Sequence, residues 1–361
     1  MKTQSIYKKI SIVTFLICLL SFSAVTIADI QYSQRKDVQD FIAKMHKEYG
    51  YDADIISYWM EGVKQQKTAL EAISRPAEGV LTWAKYRKIF MTDKRISKGV
   101  TFWQDNAELL ARAEKEYGVS AQIIVAIIGV ETFYGKRAGN YPVLDALTSL
   151  GFDYPIENTT AKRRDARETF FRKELKEFLL MVREEKFDPR TLKGSYAGAM
   201  GMPQFIPSSF RAYAVDFNGD GHRDFWNGSA DSIGSVANYF KKHGWKKDQP
   251  VASRASVNSQ SKKLGSKKMK PHTSVAEYKK SGVSSIAKFK DSEQATLLML
   301  DGAKGEEYWM TLNNFYVITR YNHSPLYAMA VYQLSQAVTA KYKMQQSQSH
   351  VKPGTPLYAN Q

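Results

Sequence analysis

The sequence has almost no cysteine, and this limits how the fold can be stabilised. Its 361 residues include one cysteine, Cys18, which lies in an apolar stretch near the N-terminus. If that stretch is removed, the remaining chain has no cysteine and can form no disulfide. Stability must then come from side-chain packing or from a bound ion. Lipid attachment requires a small residue before the cysteine, whereas Ile17 stands there, so lipid anchoring is the less favoured interpretation.

Acidic residues are scarce relative to basic ones. The chain has 36 Asp and Glu against 52 Lys and Arg, which gives a formal charge of +16. A basic surface favours binding to anionic polymers such as cell-wall glycan with its acidic peptides, lipid headgroups or nucleic acid. Charge alone does not choose among them. No nucleic-acid-binding motif or basic-aromatic array accompanies the charge, so nucleic acid is the least favoured partner.

The N-terminus has the pattern of a secretory signal peptide, which we assign to residues 1–28. Three lysines precede an apolar stretch over 10–25, and Ala28 offers a small residue for cleavage. Removing those lysines leaves a charge of +13 on the exported chain. The apolar stretch is about 16 residues long, which is short for a membrane-spanning helix. The sequence therefore predicts export to the periplasm, with an uncleaved membrane anchor as the alternative.

The chain shows no internal repeat, and its length predicts two or three folding units. Residues 29–117 have helical apolar spacing and are expected to form a helical domain. Residues 118–247 and 292–345 are expected to form the main core. Residues 248–291 are rich in Ser and Lys, which predicts a small β-containing insertion, and residues 346–361 resemble a polar tail. The predicted fold class is therefore mainly α, an α+β fold with a minor β part.

A single carboxylate stands out in the most apolar run of the chain. In residues 120–135, Ser120 is a plausible N-cap and Gly135 a plausible C′ residue, which predicts a helix of about four turns. Glu131 then shares a face with isoleucines three, four and seven residues earlier. Such surroundings disfavour an ionised carboxylate, so Glu131 is a candidate general acid. The structural alternative is a glutamate that pairs with Arg or Lys, or that reaches solvent at the helix end.

The stretch 194–209 is rich in glycine. Gly198 and Gly201 would let the backbone approach a ligand closely, and Gln204 offers both an amide donor and an acceptor. This combination suits a sugar that carries an acetamido group. A helix–helix turn in which the glycines allow tight packing explains the pattern equally well.

A third stretch matches the first half of a calcium-binding EF-hand loop. Asp216, Asn218 and Asp220 provide oxygen ligands at the first, third and fifth positions. Gly221 permits the sharp turn at the sixth position, and His222 offers its backbone carbonyl at the seventh. We therefore favour one structural calcium site over a plain Asp-Gly turn, and no organic cofactor is predicted.

The far end of this EF-hand-like loop, 216–231, departs from the EF-hand pattern. The twelfth position is Asn227 rather than Glu. The closing carboxylate is therefore expected to be Asp231, with Asp224 as its rival.

A fourth stretch combines Arg320, Tyr321 and Asn322 with Tyr327 shortly after them. Aromatic faces can stack on sugar rings, and an asparagine can bind hydroxyl or amide groups. Taken alone, such tyrosines more often belong to a hydrophobic core.

In their order along the chain, these four stretches resemble the lytic murein transglycosylase family, closest to its B-type membrane-bound and soluble members. The resemblance spans about residues 41–340 and implies a lysozyme-like helical core with Glu131 as its acid/base residue. It implies a glycan cleft that includes Tyr86, Ser195, Gln204, Tyr239, Tyr321, Asn322 and Tyr327. The calcium ligands that it implies are Asp216, Asn218, Asp220, His222 and Asp231.

The resemblance also implies the reaction. Members of the family act as carbon–oxygen lyases: they cleave the β-1,4 bond between N-acetylmuramic acid and N-acetylglucosamine in peptidoglycan and form 1,6-anhydro-N-acetylmuramic acid. The motifs supply no second carboxylate with a clear claim to the cleft, which favours substrate assistance with Glu131 as acid and then base. The alternatives are a hydrolytic muramidase and a non-catalytic, calcium-stabilised wall-binding protein. We expect a monomer whose partners are glycan strands and other cell-wall enzymes, not nucleic acid.

Overall fold

Most of the chain folds into α-helices. The computed structural model describes residues 31–74, 81–156, 160–266 and 268–350, so the segment expected to be a signal peptide, 1–28, lies outside it. The helices within these residues are α1 (Lys36–Tyr49), α2 (Ala53–Glu61), α3 (Lys67–Ile73), α4 (Trp83–Phe90), α5 (Asp93–Asp105), α6 (Ala107–Tyr117), α7 (Ala121–Thr132), α8 (Val143–Phe152), α9 (Ala161–Glu185), α10 (Pro207–Tyr213), α11 (Ala230–Lys242), α12 (Val275–Lys280), α13 (Asn313–Tyr321) and α14 (Pro325–His350).

Two small sheets accompany the helices. The strands are β1 (Tyr141–Pro142), β2 (Lys193–Gly194), β3 (Ala252–Val257), β4 (Thr273–Ser274), β5 (Val283–Ser285), β6 (Gln294–Gly302) and β7 (Gly305–Thr311). Strands β1 and β2 pair with each other, and the other five form an antiparallel sheet in the order β4-β6-β7-β3-β5. A mainly helical protein with a small β part is what the sequence predicted.

The five-stranded sheet extends beyond the expected end of the insertion at residue 291. Its two longest strands, β6 and β7, form a hairpin that reaches Thr311. A two-residue connection joins them, and Gly305 has a φ of 105°, which glycine adopts without strain. The apolar residues of β6 resemble a core helix segment when read alone, and only their pairing with β7 assigns them to the sheet.

The N-terminal helices share one hydrophobic core with the rest of the helical part. A single cluster of buried side chains includes Tyr32 and Val38 near the start and Val338 in α14. A second, smaller cluster lies at the sheet and includes Val275, Leu297 and other apolar residues. The expected helical domain 29–117 is therefore packed against the main core, while the sheet has a core of its own.

Helix α14 is the longest helix in the part of the chain that the structure describes, and it runs through the start of the expected polar tail. It packs against α4, α5, α7 and α13 and ends at His350, so residues 346–350 are helical, and 351–361 lie outside the described residues. Among the described helices, none combines the length and apolar character needed to cross a membrane.

Helix α7 is buried almost throughout, because its residues are apolar on every side. Helices α5, α6, α11 and α14 surround it. Ser120 holds the predicted N-cap position, but its side chain makes no capping hydrogen bond. Instead, the amide of Ala121 donates to Oε2 of Glu114 at 3.2 Å. The C-terminal end of α7 lies nearer the surface, and Glu131 there is half-buried.

Candidate active site

The end of α7 has an unusual backbone. The helix stops at Thr132, and Phe133, Tyr134 and Gly135 all have left-handed conformations, with φ of 52°, 60° and 81°. The predicted C′ position at Gly135 is therefore wrong, since Phe133 already leaves the helix. The amide of Tyr134 donates to the carbonyl of Ile128 at 3.2 Å, which closes the last turn. Left-handed backbone at two non-glycine residues is costly and is often found at functional sites.

Glycines make room for the side chain that follows this turn. A Cβ atom at Gly129 would lie 2.6 Å from the hydroxyl oxygen of Tyr134, and one at Gly99 would lie 2.4 Å from it. The Tyr134 ring is therefore inserted between α5 and α7. This insertion explains why the helix ends earlier than the sequence pattern predicted.

Thr132 connects the end of α7 to the glycine-rich loop. Its hydroxyl donates to the carbonyl of Met202 at 2.9 Å and accepts a hydrogen bond from the amide of Gly135 at 3.0 Å. Two hydrogen bonds therefore hold the side chain of Thr132, the residue directly after Glu131. The orientation of Glu131 depends on this connection as well as on the helix.

Arg95 lies buried behind the same helix end, and sequence reasoning missed it. Its guanidinium donates to the carbonyl of Gly129 and lies 5.1 Å and 5.0 Å from the ring centres of Phe90 and Phe133. Burial lowers the pKa of Arg95, while the neighbouring Tyr134 opposes the shift. A cation at a helix C-terminus is stabilised by the helix dipole. Nothing in the spacing of Arg95 along the sequence indicates this position.

Glu131 itself is half-buried and is bound by a tyrosine from α14. The hydroxyl of Tyr327 donates to Oε1 of Glu131 at 2.5 Å, between residues 196 positions apart. Burial and the charge of Glu131 raise the pKa of Tyr327 well above its usual value. Tyr327 therefore stays protonated and acts as a hydrogen-bond donor that orients the carboxyl group. Tyr86, from α4, is close enough to contribute to the same shift in the pKa of Tyr327.

Two further tyrosines form an aromatic wall next to this pair. The rings of Tyr239 and Tyr321 meet edge to face at 4.9 Å, and their hydroxyls donate to the carbonyls of Arg320 and Pro203, each at 2.6 Å. Burial and the charge of Glu131 raise the pKa of Tyr321 well above its usual value. Asn322 follows and accepts a hydrogen bond from the amide of Ser324 at 3.2 Å, just before α14 begins.

Gln204 presents an amide that is anchored to the backbone. It has a φ of 54°, and Nε2 donates to the carbonyls of Ala138 at 2.9 Å and Gly201 at 2.8 Å. Both N–H groups are thereby used, so Oε1 is the atom of this amide that can accept from a ligand. Ser195 holds the start of the loop, since its hydroxyl oxygen accepts from the amides of Ala197 at 3.3 Å and Ala199 at 3.0 Å.

The glycines of this loop serve packing rather than an approach to a ligand. A Cβ atom at Gly198 would lie 2.4 Å from Leu147, and one at Gly201 would lie 2.3 Å from Cβ of Phe225. The suggestion that both glycines admit a ligand is therefore wrong. The tight-packing alternative accounts for them, because the loop lies directly on α8 and on the turn before α11.

A cavity of about 620 Å³ opens beside the aromatic wall. Gln204, Tyr239 and Tyr321 line it, together with His243 and Arg320, which sequence reasoning did not select. The imidazole of His243 stacks on Tyr239 with ring centres 4.0 Å apart, and burial lowers its pKa. Its position four residues after Tyr239 on α11 is a helical spacing that could have indicated it. The cavity can hold a ring with polar substituents.

The structure thus gathers the predicted cleft residues into two neighbouring groups. Tyr327 binds Glu131 and Tyr86 lies near Tyr327, while Gln204 and Tyr239 line the cavity, and Tyr321 interacts with both groups. Ser195 and Asn322 do not line this cavity. They hold the ends of the segments that carry the other residues.

The loop at 216–231 is folded around its carboxylates. Asp216 accepts from the amides of Gly219 at 2.7 Å and Gly221 at 2.8 Å, and Asn218 donates to Asp220 at 2.7 Å. The amide of His222 also donates to Asp220, at 2.9 Å, and this contributes to a lowered pKa of that carboxyl group.

Buried Asp231 closes the loop. It accepts from the amides of Phe217 at 2.7 Å, Asn218 at 3.3 Å and Asp224 at 2.8 Å. Burial raises the pKa of Asp231, and the charge of Asp216 adds to the rise. Asp224 accepts instead from the amides of Trp226 and Asn227, so it holds the neighbouring turn. Over the described residues, no group of three His, Cys, Asp or Glu side chains is clustered as a ready-made metal site.

Comparisons with known proteins find related sequences. A family model described as a transglycosylase SLT domain matches residues 33–336. Membrane-bound lytic murein transglycosylase B of Escherichia coli (strain K12) is 42% identical over 316 residues, which are 85% of this chain and 84% of the relative.

Several solved structures are similar as well. Soluble lytic transglycosylase SltB1 from Pseudomonas aeruginosa is 50% identical with a TM-score of 0.79, covering 85% of this chain and 99% of its own. Escherichia coli Slt35 in complex with calcium is 42% identical with a TM-score of 0.77, covering 86% and 95%. SltB3 from Pseudomonas aeruginosa in complex with NAG-anhNAM-pentapeptide is 29% identical with a TM-score of 0.74, covering 84% and 79%.

Proposed function

The chain belongs to the SLT-domain lytic transglycosylases, enzymes that act on peptidoglycan, and on this premise we propose that Glu131 is its single acid/base residue. The bond cleaved is the β-1,4 bond between N-acetylmuramic acid and N-acetylglucosamine. The product is a glycan that ends in 1,6-anhydro-N-acetylmuramic acid. The observation that carries the proposal is the hydrogen bond from Tyr327 to Glu131, because it fixes one carboxyl group beside a cavity suited to sugars.

The reaction needs only one carboxyl group if the substrate assists. Glu131 donates its proton to the oxygen that bridges the two sugars, and the bond from that oxygen to the anomeric carbon breaks. The acetamido oxygen of the muramic acid residue stabilises the anomeric carbon. Glu131, now ionised, then takes the proton of the C6 hydroxyl of the same sugar, whose oxygen closes the 1,6-anhydro ring. Tyr327 orients the carboxyl group throughout, and no water is consumed.

The remaining residues have supporting roles in this proposal. Tyr86, Tyr239 and Tyr321 provide rings against which sugars pack. The Oε1 atom of Gln204 accepts a hydrogen bond from an amide or hydroxyl of the glycan. Ser195 and Asn322 position the segments that carry these side chains.

A hydrolytic muramidase would cleave the same bond but deliver water to it. Digestion of purified peptidoglycan followed by mass spectrometry separates the two reactions. We expect muramic acid ends that are lighter by one water than those from a hydrolytic digest. Ends with the mass of the hydrolytic product would overturn the proposed reaction, and a lack of any fragments would favour a non-catalytic wall-binding protein.

We also propose that the loop 216–231 binds one structural calcium ion. Its hard oxygen donors suit calcium, and the pKa of Asp231 is raised partly by the charge of Asp216, a repulsion that a cation would relieve. Asp216, Asn218 and Asp220 would hold the ion together with the backbone carbonyl of His222. Asp231 is the closing carboxylate. The ion would stabilise the loop and take no part in the reaction.

The proposed location is the periplasm, where peptidoglycan lies. This proposal depends on the signal-peptide pattern of residues 1–28 and on the basic charge of the chain. Glycan strands are its proposed partner, and other cell-wall enzymes remain candidate partners. We propose that the protein acts as a monomer.

A further inference from the structure

A second cavity lies where helix α4, the five-stranded sheet and helix α14 meet. It has a volume of about 280 Å³, and residues of all three elements line it. The partly exposed indole ring of Trp309 contributes apolar surface, and buried Trp83 lies beneath it. Arg87 and Lys88 from α4 and Arg254 from β3 contribute positive charge. We name this cavity the α4–sheet pocket.

The pocket has more positive than negative charge. Arg254 pairs with Glu307 at 2.5 Å and lies 5.3 Å from the centre of the Trp309 ring. Nε of Arg87 donates to Oε1 of Gln333, a neutral side chain, at 2.6 Å. Among the described residues, no carboxylate forms an ion pair with Arg87 or Lys88. One carboxylate therefore faces three cations, and the pocket suits an anionic ligand.

The α4–sheet pocket shares helices α4 and α14 with the proposed catalytic site. Arg87 follows Tyr86, whose ring is near Tyr327. Gln333 follows Tyr327 by six residues on α14, which corresponds to about 9 Å along the helix axis. A peptide of five residues spans up to about 17 Å when extended. An extended stem is therefore longer than the distance along α14 that separates Tyr327 from Gln333.

We propose that the α4–sheet pocket binds a carboxylate of the peptide stem that a peptidoglycan strand carries. Arg87 would form charge-assisted hydrogen bonds with that carboxylate, and Lys88 would add attraction. The ring of Trp309 would cover the aliphatic part of the stem. The inference rests on the proposed function, because the glycan in the cleft brings the stem to the pocket. It assigns a stem-recognition role to α4 and the sheet.

The test compares two substrates: intact glycan strands and strands from which an amidase has removed the stems. The measured quantity is the ratio of kcat/KM on stem-bearing strands to kcat/KM on stem-free strands. We expect this ratio to fall by about 5- to 10-fold in Arg87→Gln, as for a lost charge-assisted hydrogen bond. The matched control is Lys85→Gln, which removes a charge from the exposed side of the same helix and should leave the ratio unchanged.

A second variant keeps the proposal falsifiable if Arg87→Gln folds poorly. Gln333→Glu has the same shape as the native side chain and places a carboxylate 2.6 Å from Nε of Arg87. This carboxylate would occupy Arg87 in place of the stem, so the ratio should fall as it does in Arg87→Gln. An unchanged ratio in both variants, or an equal fall in Lys85→Gln, would overturn the proposal.

Direct binding separates this proposal from the proposed function. A synthetic stem pentapeptide with free carboxylates is titrated into the full chain by calorimetry, beside the same peptide with its carboxylates amidated. We expect only the free acid to bind, and we expect Arg87→Gln to weaken that binding by about 5- to 10-fold. Binding with no anhydro product would contradict the proposed function alone. Anhydro product with equal binding of both peptides would contradict the pocket alone.

Discussion

The end of α7 and the loop 216–231 hold their carboxylates in opposite ways. Glu131 belongs to a buried helix and receives a hydrogen bond from Tyr327, 196 residues away. Asp216 and Asp231 are surrounded by backbone amides of their own loop. A carboxylate that a distant hydroxyl holds is oriented by the tertiary fold, whereas one that accepts from several amides of its own loop fixes the conformation of that loop. The first arrangement suits chemistry, and the second suits stability.

The largest effect that this comparison predicts is the loss of activity in Glu131→Gln. The amide can serve neither as acid nor as base, so we expect turnover of peptidoglycan to fall by about 10³-fold or more. The melting temperature should remain close to that of the wild type, because the amide can still accept from Tyr327. Turnover is measured by release of soluble fragments. Undiminished release from a folded variant would remove Glu131 from the mechanism.

The next effect concerns the donor to Glu131. In Tyr327→Phe, the carboxyl group loses the hydrogen bond that orients it, and we expect kcat to fall by about 10- to 100-fold. The control is Tyr332→Phe on the same helix, whose hydroxyl donates to the carbonyl of Ala252 at 2.7 Å. This control should cost stability but leave kcat nearly unchanged. Equal losses of kcat in the two variants would mean that Tyr327 contributes only packing.

For the loop 216–231 we expect the reverse pattern, a loss of stability with little change in kcat. Asp231→Asn weakens three hydrogen bonds from backbone amides, and we expect the free energy of unfolding to fall by about 1–3 kcal/mol. The kcat of the folded fraction should change little. Chemical denaturation measures the stability, and assays well below the unfolding transition measure kcat. A large fall in kcat at unchanged stability would place Asp231 in the active site instead.

The smallest effect concerns calcium. With calcium in excess, we expect the melting temperature of the wild type to rise by a few degrees over that in chelator, because an ion bound only to the folded loop stabilises it. Asp216→Asn should show a smaller rise. Differential scanning calorimetry measures both. Equal melting temperatures with and without calcium would argue against the site.

Local patterns predicted some features of this molecule well. The mainly helical, lysozyme-like fold is confirmed, and the apolar run around Glu131 does form a buried helix. Such features depend on residues close in sequence, whose spacing shows directly which face is apolar. The partnership of Glu131 and Tyr327 has no local signal, and the family resemblance placed both residues in the cleft without predicting that they pair.

Other features depend on contacts that spacing does not encode. Gly135 looked like the end of α7, but the insertion of Tyr134 beside Gly99 ends the helix earlier. The glycines of the 194–209 loop fit α8 and Phe225, which no pattern within the loop reveals. Arg95 is likewise defined by the rings and the carbonyl around it. In each case a distant part of the chain decides the local conformation.

The central claim is that Glu131 closes an anhydro ring without water, and digestion in heavy-oxygen water tests it most directly. Peptidoglycan is digested in this solvent, and the muramic acid ends are analysed by mass spectrometry. The account predicts that these ends carry no heavy oxygen, because the C6 oxygen of the sugar itself attacks the anomeric carbon. Incorporation of one heavy oxygen at each newly formed end would contradict it.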